Sequence, residues 1–108
     1  MTKISVFKKD GIYTGFEVSG HAGYAESGED IVCAGISMLV INTINSIETF
    51  TEDGFSCDAD PKTGYIKFQF KTTISNDSEL LMNSLVLGLQ GVQEEYGKEY
   101  MKLILKEV

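Results

Sequence analysis

The chain has 108 residues, 43% hydrophobic and 23% charged, which are the proportions of one soluble globular domain. Its 16 acidic residues outnumber the 9 basic ones, and the formal net charge of −7 argues against binding nucleic acid or an anionic membrane surface. Two cysteines are too few for a disulfide framework, and we find neither a signal-peptide pattern nor an apolar run of membrane-spanning length. We therefore expect a single cytoplasmic domain over residues 1–108, with reduced thiols.

The first predicted unit is a β-hairpin. Apolar and polar residues alternate over 3–8 and again over 13–19, and Asp10-Gly11 between them is a strong signal for a tight turn. The side chains expected to face the core are Ile4, Val6, Phe16 and Val18.

A helical period follows over residues 31–50. Apolar residues recur there at spacings of three and four, which predicts a well-buried central helix. Its expected core stripe is Val32, Ile36, Leu39, Val40, Thr43 and Ile47.

A second hairpin and a second helix complete the pattern. The ranges 55–59 and 66–70 alternate around the turn Asp60-Pro61-Lys62-Thr63-Gly64, where proline suits the φ that a turn requires. Ser75-Asn76-Asp77 supplies cap candidates for a second helix, and residues 101–106 alternate as a last strand. The helix stripe is predicted to comprise Leu81, Leu85, Gly88 or Leu89, Val92 and Tyr96, with Gly97 as the residue that ends the helix. The order ββαββαβ predicts an α+β two-layer fold with both helices on one mostly antiparallel sheet.

The residues that could perform chemistry are His21 and Cys33. His21 is the only histidine in the chain, and a glycine-rich loop separates it from Cys33, which lies where the helical period begins. A base and a thiol are the minimal parts of a nucleophilic catalyst. A separation of twelve residues permits a meeting of the two side chains but does not require one.

The start of this helix affects how a thiol at Cys33 is activated. With Asp30 as the N-cap, Cys33 lies in the first turn, and the amides of Cys33 and Ala34 could stabilise an oxyanion. With Ser27 as the cap, Cys33 falls in the second turn, where the helix dipole has faded. We favour Asp30, because Gly28 makes a poor early helix residue. Even then the helix dipole stabilises a thiolate by only about 0.3–1 kcal/mol. Lowering the pKa of a free thiol to near 6 takes about 3.4 kcal/mol, so a partner such as His21 is needed.

Other interpretations of these residues are simpler. For Asp30, capping the helix is the favoured role, ahead of orienting an imidazole. For Ser37, one turn after Cys33, the more common role of the hydroxyl is a hydrogen bond to a carbonyl of its own helix. Cys57, on the apolar face of a strand, is expected in the core. A zinc site is not expected, since one histidine and two cysteines lack the usual spacing, and no Gly-Lys-Ser/Thr follows the glycines as in a phosphate loop.

A family resemblance adds to this interpretation. The segment Gly20-His21-Ala22-Gly23-Tyr24-Ala25, with Gly28, Asp30-Ile31-Val32-Cys33-Ala34 and Ser37 after it, resembles the ribosomal-processing cysteine proteases of bacteria, the Prp family. The likeness extends to length and element order and covers essentially the whole chain. The two motif pieces are specific in combination, although neither would be alone.

The resemblance implies an α+β homodimer that removes a short N-terminal extension from the large-subunit ribosomal protein numbered twenty-seven. Cys33 would be the nucleophile and His21 its base in an acyl transfer without cofactor or metal, with Asp30 and Ser37 in supporting positions. It also implies a mobile glycine-rich loop that closes over an extended peptide. The loop residues concerned are Gly20, Gly23, Tyr24 and Gly28.

Two other functions are kept as hypotheses. One is a non-catalytic, ribosome-associated module that holds a basic peptide, to which the acidic net charge would be suited. The other is a redox-sensing thiol that forms a sulfenic acid with peroxide.

Overall fold

The computed structural model describes residues 1–20, 27–96 and 99–108. Its elements follow the predicted order, ββαββαβ. They are β1 (Thr2–Lys9), β2 (Ile12–Ser19), α1 (Ser27–Phe50), β3 (Phe55–Asp60), β4 (Tyr65–Phe70), α2 (Asn76–Tyr96) and β5 (Met101–Glu107).

All five of these strands belong to one sheet, in the order β3-β4-β2-β1-β5. Neighbouring strands are antiparallel except β1 and β5, which run parallel. The two helices pack on this sheet, so the predicted α+β architecture with a mostly antiparallel sheet is confirmed. The strand order makes β3 and β5 the sheet edges and places the start of β1 in the sheet interior, beside β2 and β5.

The turn between β1 and β2 follows from two residues that tolerate a left-handed backbone. Asp10 has a φ of 52° and Gly11 a φ of 78°. Positive φ at both central positions is the geometry of a type I′ turn, whose twist matches that of the flanking strands. Asp10-Gly11 therefore closes the predicted hairpin.

The core lies between the sheet and the two helices. Its centre contains an aromatic cluster around Phe68, whose ring stacks on Phe16 with a centroid separation of 4.9 Å and an interplanar angle of 11°. Phe70 meets Phe68 edge to face at 4.9 Å, and Phe55 lies 4.7 Å away on the β3 side. Such arrangements suit the quadrupoles of aromatic rings. The predicted core residues that are buried are Ile4, Val6, Phe16, Val18, Val32, Ile36, Val40, Thr43, Ile47, Leu85 and Leu89. Leu39, Leu81 and Val92 are partly buried against them.

Of the three candidate caps at 75–77, Ser75 is the one that begins the second helix. The Ser75 hydroxyl oxygen accepts a hydrogen bond from the Ser78 N–H at 3.2 Å, and the Ser75 carbonyl accepts one from the Glu79 N–H at 3.0 Å. Asp53, in the loop that follows α1, accepts hydrogen bonds from the N–H and hydroxyl of Ser75 and from the Ser78 hydroxyl. The chain between α1 and β3 is thus tied to the start of α2. The predicted end of this helix at Gly97 lies outside the described residues.

Two predicted core positions are wrong. Cys57 is exposed, because it lies on the edge strand β3, where only one neighbouring strand shields it. Tyr96 is exposed as the last residue of α2. Leu105, which alternates as the strand pattern indicates, is 55% exposed near the end of the other edge strand.

Within the described ranges, one stretch, Ile31–Phe50, is long and apolar enough by length and composition to cross a membrane. The central helix of a globular core passes the same test. Here the stretch carries part of the core, since Val32, Ile36 and Val40 are buried against the sheet and α2.

Candidate active site

The site is built around Cys33, the seventh residue of α1. Its side chain is only 4% exposed and points toward the sheet. There the sulfur lies 3.3 Å from the Thr2 hydroxyl oxygen, within hydrogen-bonding distance, and either atom can be the donor. Thr2 is the first residue of β1 and is fully buried. The contact joins residues 31 positions apart, and the sequence analysis did not identify it.

The observed start of α1 overturns our preference for Asp30 as its N-cap. The helix begins at Ser27, which places Cys33 in the second turn, close to the alternative that we set aside. Amides at this depth in a helix donate to the carbonyls four residues earlier, so those of Cys33 and Ala34 are not free to hold an oxyanion. Gly28 is accommodated because helical propensity is a weak bias that the surrounding fold overrides.

Gly20 marks the point where the chain leaves β2. It has a φ of 80°, in the left-handed region that favours glycine, and a Cβ at this position would overlap the Met1 carbonyl oxygen. The backbone at Gly20 is therefore one that residues with a Cβ rarely adopt. Antiparallel pairing places the end of β2 beside the beginning of β1, where Thr2 contacts Cys33.

A groove lies at the same end of the sheet as the contact between Thr2 and Cys33. Ser37, half-buried on α1, lines an open cavity of about 410 Å³ together with the β3–β4 turn. The cavity reaches Ile66, which pairs with Val18 on β2, and Val18 pairs in turn with Ile4, two residues from Thr2. The other lining residues are Ala59, Asp60, Pro61, Gly64 and Tyr65.

The remaining predicted site residues fall into two groups. His21, Gly23 and Tyr24 lie outside the described residues, as does any distance between the His21 ring and the Cys33 sulfur. Gly28 and Asp30 belong to the first turn of α1, although the Asp30 side chain is likewise outside the described part. Ala34 is on the exposed side of α1.

The second cysteine has a different environment. Cys57 is exposed on β3, and its partial desolvation together with the nearby Asp58 carboxylate raises the pKa of its thiol. A raised pKa leaves less thiolate at neutral pH, which makes this thiol a poorer nucleophile. Across the ranges that the structure describes, no three His, Cys, Asp or Glu side chains are grouped so that they could hold a metal ion.

Comparison with known proteins decides the class of chemistry. The model of the family described as cysteine protease Prp matches residues 1–102. The chain belongs to the Prp family of cysteine proteases. It is therefore an enzyme that cuts peptide bonds with a cysteine nucleophile.

Individual members of the Prp family resemble this chain over most of its length. The ribosomal processing cysteine protease Prp of Staphylococcus aureus strain Mu50 is 29% identical over 89 residues, which cover 82% of this chain and 84% of the relative. A crystal structure of the S. aureus protease with a substrate peptide has a TM-score of 0.91 at 28% identity, covering 98% of this chain and all of that one. A second S. aureus structure, with a covalently linked product peptide, has a TM-score of 0.87 at 29% identity over 98% and 100% of the two chains.

Proposed function

We propose that this Prp-family enzyme removes the short N-terminal extension of the large-subunit ribosomal protein numbered twenty-seven, with Cys33 as nucleophile and His21 as general base. A cysteine protease requires a thiol, and this chain has only Cys33 and Cys57. Cys57 is exposed on an edge strand and the pKa of its thiol is raised, whereas Cys33 is buried beside Thr2 at the end of the sheet where β2 leads into His21. This contrast between the two thiols is the observation that carries the assignment. His21 is the only histidine available to serve as base.

The proposed reaction is a two-step acyl transfer. His21 accepts the proton of the Cys33 thiol, and the thiolate sulfur attacks the scissile carbonyl carbon. The imidazolium then gives the proton to the leaving amine, the peptide C–N bond breaks, and a thioester remains on Cys33. Water, deprotonated by His21, attacks the thioester and releases the new carboxyl end together with the free thiol. The covalently linked product peptide in the S. aureus relative supports a covalent intermediate.

The substrate class is inferred from the relatives and from charge. The S. aureus relative is named a ribosomal processing protease and was crystallised with a substrate peptide. Ribosomal proteins are generally basic, and the net charge of −7 favours encounter with a basic chain. A ribosomal substrate also supports the expectation of a cytoplasmic enzyme that works during assembly of the ribosome. The homodimer that the family resemblance implies is part of the same proposal.

Mass spectrometry of the candidate ribosomal protein tests this proposal. Incubation with the wild-type enzyme should remove an N-terminal peptide of defined mass, and Cys33→Ala and His21→Ala should each lower the rate by at least about a thousandfold. The matched control is Cys57→Ser, which should retain full activity because it leaves Cys33 as the nucleophile and exchanges an exposed thiol for a hydroxyl of similar size. An intact ribosomal protein after incubation with the wild-type enzyme, or undiminished cleavage by Cys33→Ala, would refute the assignment.

A further inference from the structure

We propose that Thr2 is a positioning residue for the nucleophile, and that its hydroxyl donates a hydrogen bond to the thiolate of Cys33. The inference rests on the proposed function only in taking Cys33 as the reacting thiol. It extends the site from the histidine and cysteine to the first residue of β1.

Because both groups are buried, the Thr2 hydroxyl and the Cys33 sulfur have few hydrogen-bond partners other than each other. Thr2 is fully buried and Cys33 is 4% exposed, with 3.3 Å between the hydroxyl oxygen and the sulfur. A buried hydroxyl without a partner would be costly, and no buried side-chain oxygen or nitrogen in the described part of the chain lacks one. The sulfur of Cys33 is the partner observed for the Thr2 hydroxyl.

The Thr2 oxygen is held in place by the sheet. The Thr2 N–H donates to the Tyr100 carbonyl at 3.0 Å, and Thr2 pairs with Met101, the first residue of the parallel strand β5. The threonine is β-branched, which restricts its side chain to few rotamers. The hydroxyl is therefore a fixed donor or acceptor aimed at α1, of the kind that catalysis uses to stabilise charge without reorganisation.

A fixed donor is useful here because the helix end is remote. Since α1 begins at Ser27, the free amides of its first turn lie before Cys33, and the helix dipole falls off within that turn. When the proton moves from the Cys33 sulfur to His21, the Thr2 hydroxyl can rotate and donate to the anion. As the bond from sulfur to the scissile carbon forms, negative charge leaves the sulfur and this hydrogen bond weakens.

The test compares Thr2→Val, which keeps the shape of the side chain and removes the hydroxyl, with Thr2→Ser, which keeps the hydroxyl. All variants carry Cys57→Ser so that Cys33 is the only thiol. Iodoacetamide labelling of Cys33 is measured from pH 5 to 9, and kcat and KM are measured on the peptide of the ribosomal extension. For Thr2→Val we expect the midpoint of the labelling profile to rise by about one pH unit and the rate at pH 6 to fall about three- to fourfold, because the more basic thiolate is also more nucleophilic. For the same reason kcat should fall about three- to fourfold with KM little changed.

The controls separate positioning from packing. Thr2→Ser should stay within about twofold of the wild type in both assays, and thermal denaturation should show each variant folded. A change only in how easily iodoacetamide reaches Cys33 would scale the labelling rate equally at every pH and would not move the midpoint. All variants retain His21, so a shift of the midpoint is due to Thr2. If Thr2→Val does not fold, Thr2→Ala removes the same hydroxyl with a smaller side chain and replaces it in both assays.

Two results would overturn the inference: a labelling midpoint unchanged in the variant without the hydroxyl, or a loss in Thr2→Ser equal to that in Thr2→Val. Labelling requires no substrate, so the two proposals fail separately. A wild type that does not cleave the ribosomal peptide, together with a shifted midpoint in Thr2→Val, refutes the substrate and leaves the role of Thr2 intact.

Discussion

At the scale of single residues, the two cysteine thiols differ in reactivity because their surroundings differ. Cys33 is buried beside a hydroxyl, whereas Cys57 is exposed beside a carboxylate that raises the pKa of its thiol. The same principle applies to carboxylates. The hydrogen bonds that Asp53 accepts from Ser75 and Ser78 hold the pKa of its carboxyl below the ordinary value.

The lowered pKa of Asp53 predicts a dependence of stability on acid. Because the folded state favours the ionised carboxylate, the stabilisation is complete above the ordinary carboxyl pKa near 3.8 and is lost as the pH falls through the lower folded value. Asp53→Asn should therefore lower the free energy of unfolding at pH 7 by about 0.5–1 kcal/mol, a range reduced for solvent screening, and the difference from the wild type should be smaller at pH 3 than at pH 7. Urea denaturation at pH 7, 5 and 3 measures it.

Glu52→Gln is the matched control for this prediction, since Glu52 is an exposed carboxylate beside Asp53 in the same loop. It should change the unfolding free energy little at any of the three pH values. A difference between Asp53→Asn and the wild type that stays constant from pH 7 to pH 3 would contradict the role of ionisation.

At the scale of elements, the position of the nucleophile depends on how closely α1 and α2 approach each other. Leu39 of α1 packs against Gly88 of α2, where a Cβ would come within 3.0 Å of the leucine side chain. Cys33 is on α1 and Thr2 is on β1 beneath it. The distance between the sulfur and the hydroxyl oxygen therefore depends on how α1 packs on the sheet and against α2. Glycine is required at position 88 for packing, whereas Gly91 on the same helix has open space around its Cα.

This contrast predicts opposite effects of two substitutions in α2. Gly88→Val should destabilise the fold by about 1–3 kcal/mol, because the added methyl groups must displace Leu39. Gly91→Ala should stabilise it by up to about 1 kcal/mol, since alanine favours the helix and meets no neighbour. Chemical denaturation of both variants gives the comparison. Equal effects of the two substitutions would show that helix propensity, and not packing, dominates at Gly88.

At the scale of the whole molecule, apolar side chains remain on the outside of the helices. Met38 and Ile41 on α1 are 73% and 51% exposed, and Leu80 and Leu87 on α2 are 67% and 71% exposed. Because Leu39 meets Gly88, their neighbours Met38 and Leu87 lie at the same level of the helix pair. Exposed apolar surface of this kind is typical of a face that associates with another protein, and the proposed homodimer would cover it.

Sedimentation equilibrium tests the proposed homodimer. The wild type should give twice the chain mass of 11.9 kDa, and the double variant Met38→Glu with Leu87→Glu should give the single-chain mass, because two buried carboxylates would face their symmetry mates. Ile12→Glu, an exposed apolar position on β2, is the control and should remain dimeric. A wild type of single-chain mass would contradict the homodimer. A dimeric double variant would place the interface elsewhere.

Much of the architecture could be predicted because local chemistry and periodicity act over short distances along the chain. Asp10-Gly11 tolerates the left-handed backbone of its turn, and Ser75 caps α2. The stripe from Val32 to Ile47 is buried as expected except for Leu39, which is partly buried. The motif around Cys33 likewise identified the family, since a combination of residue types is a property of the chain itself.

The remaining features depend on which elements become neighbours. Cys57 and Leu105 alternate correctly but are exposed, because alternation does not reveal that β3 and β5 are sheet edges. The first turn of α1 formed despite Gly28, because packing contributes more than the preference of one residue. The contact between Thr2 and Cys33 exists because folding places β1 under α1, across 31 positions of sequence. Residue types and their spacing thus specify the elements and the class of chemistry, whereas contacts across the sheet and helices determine how the nucleophile is held.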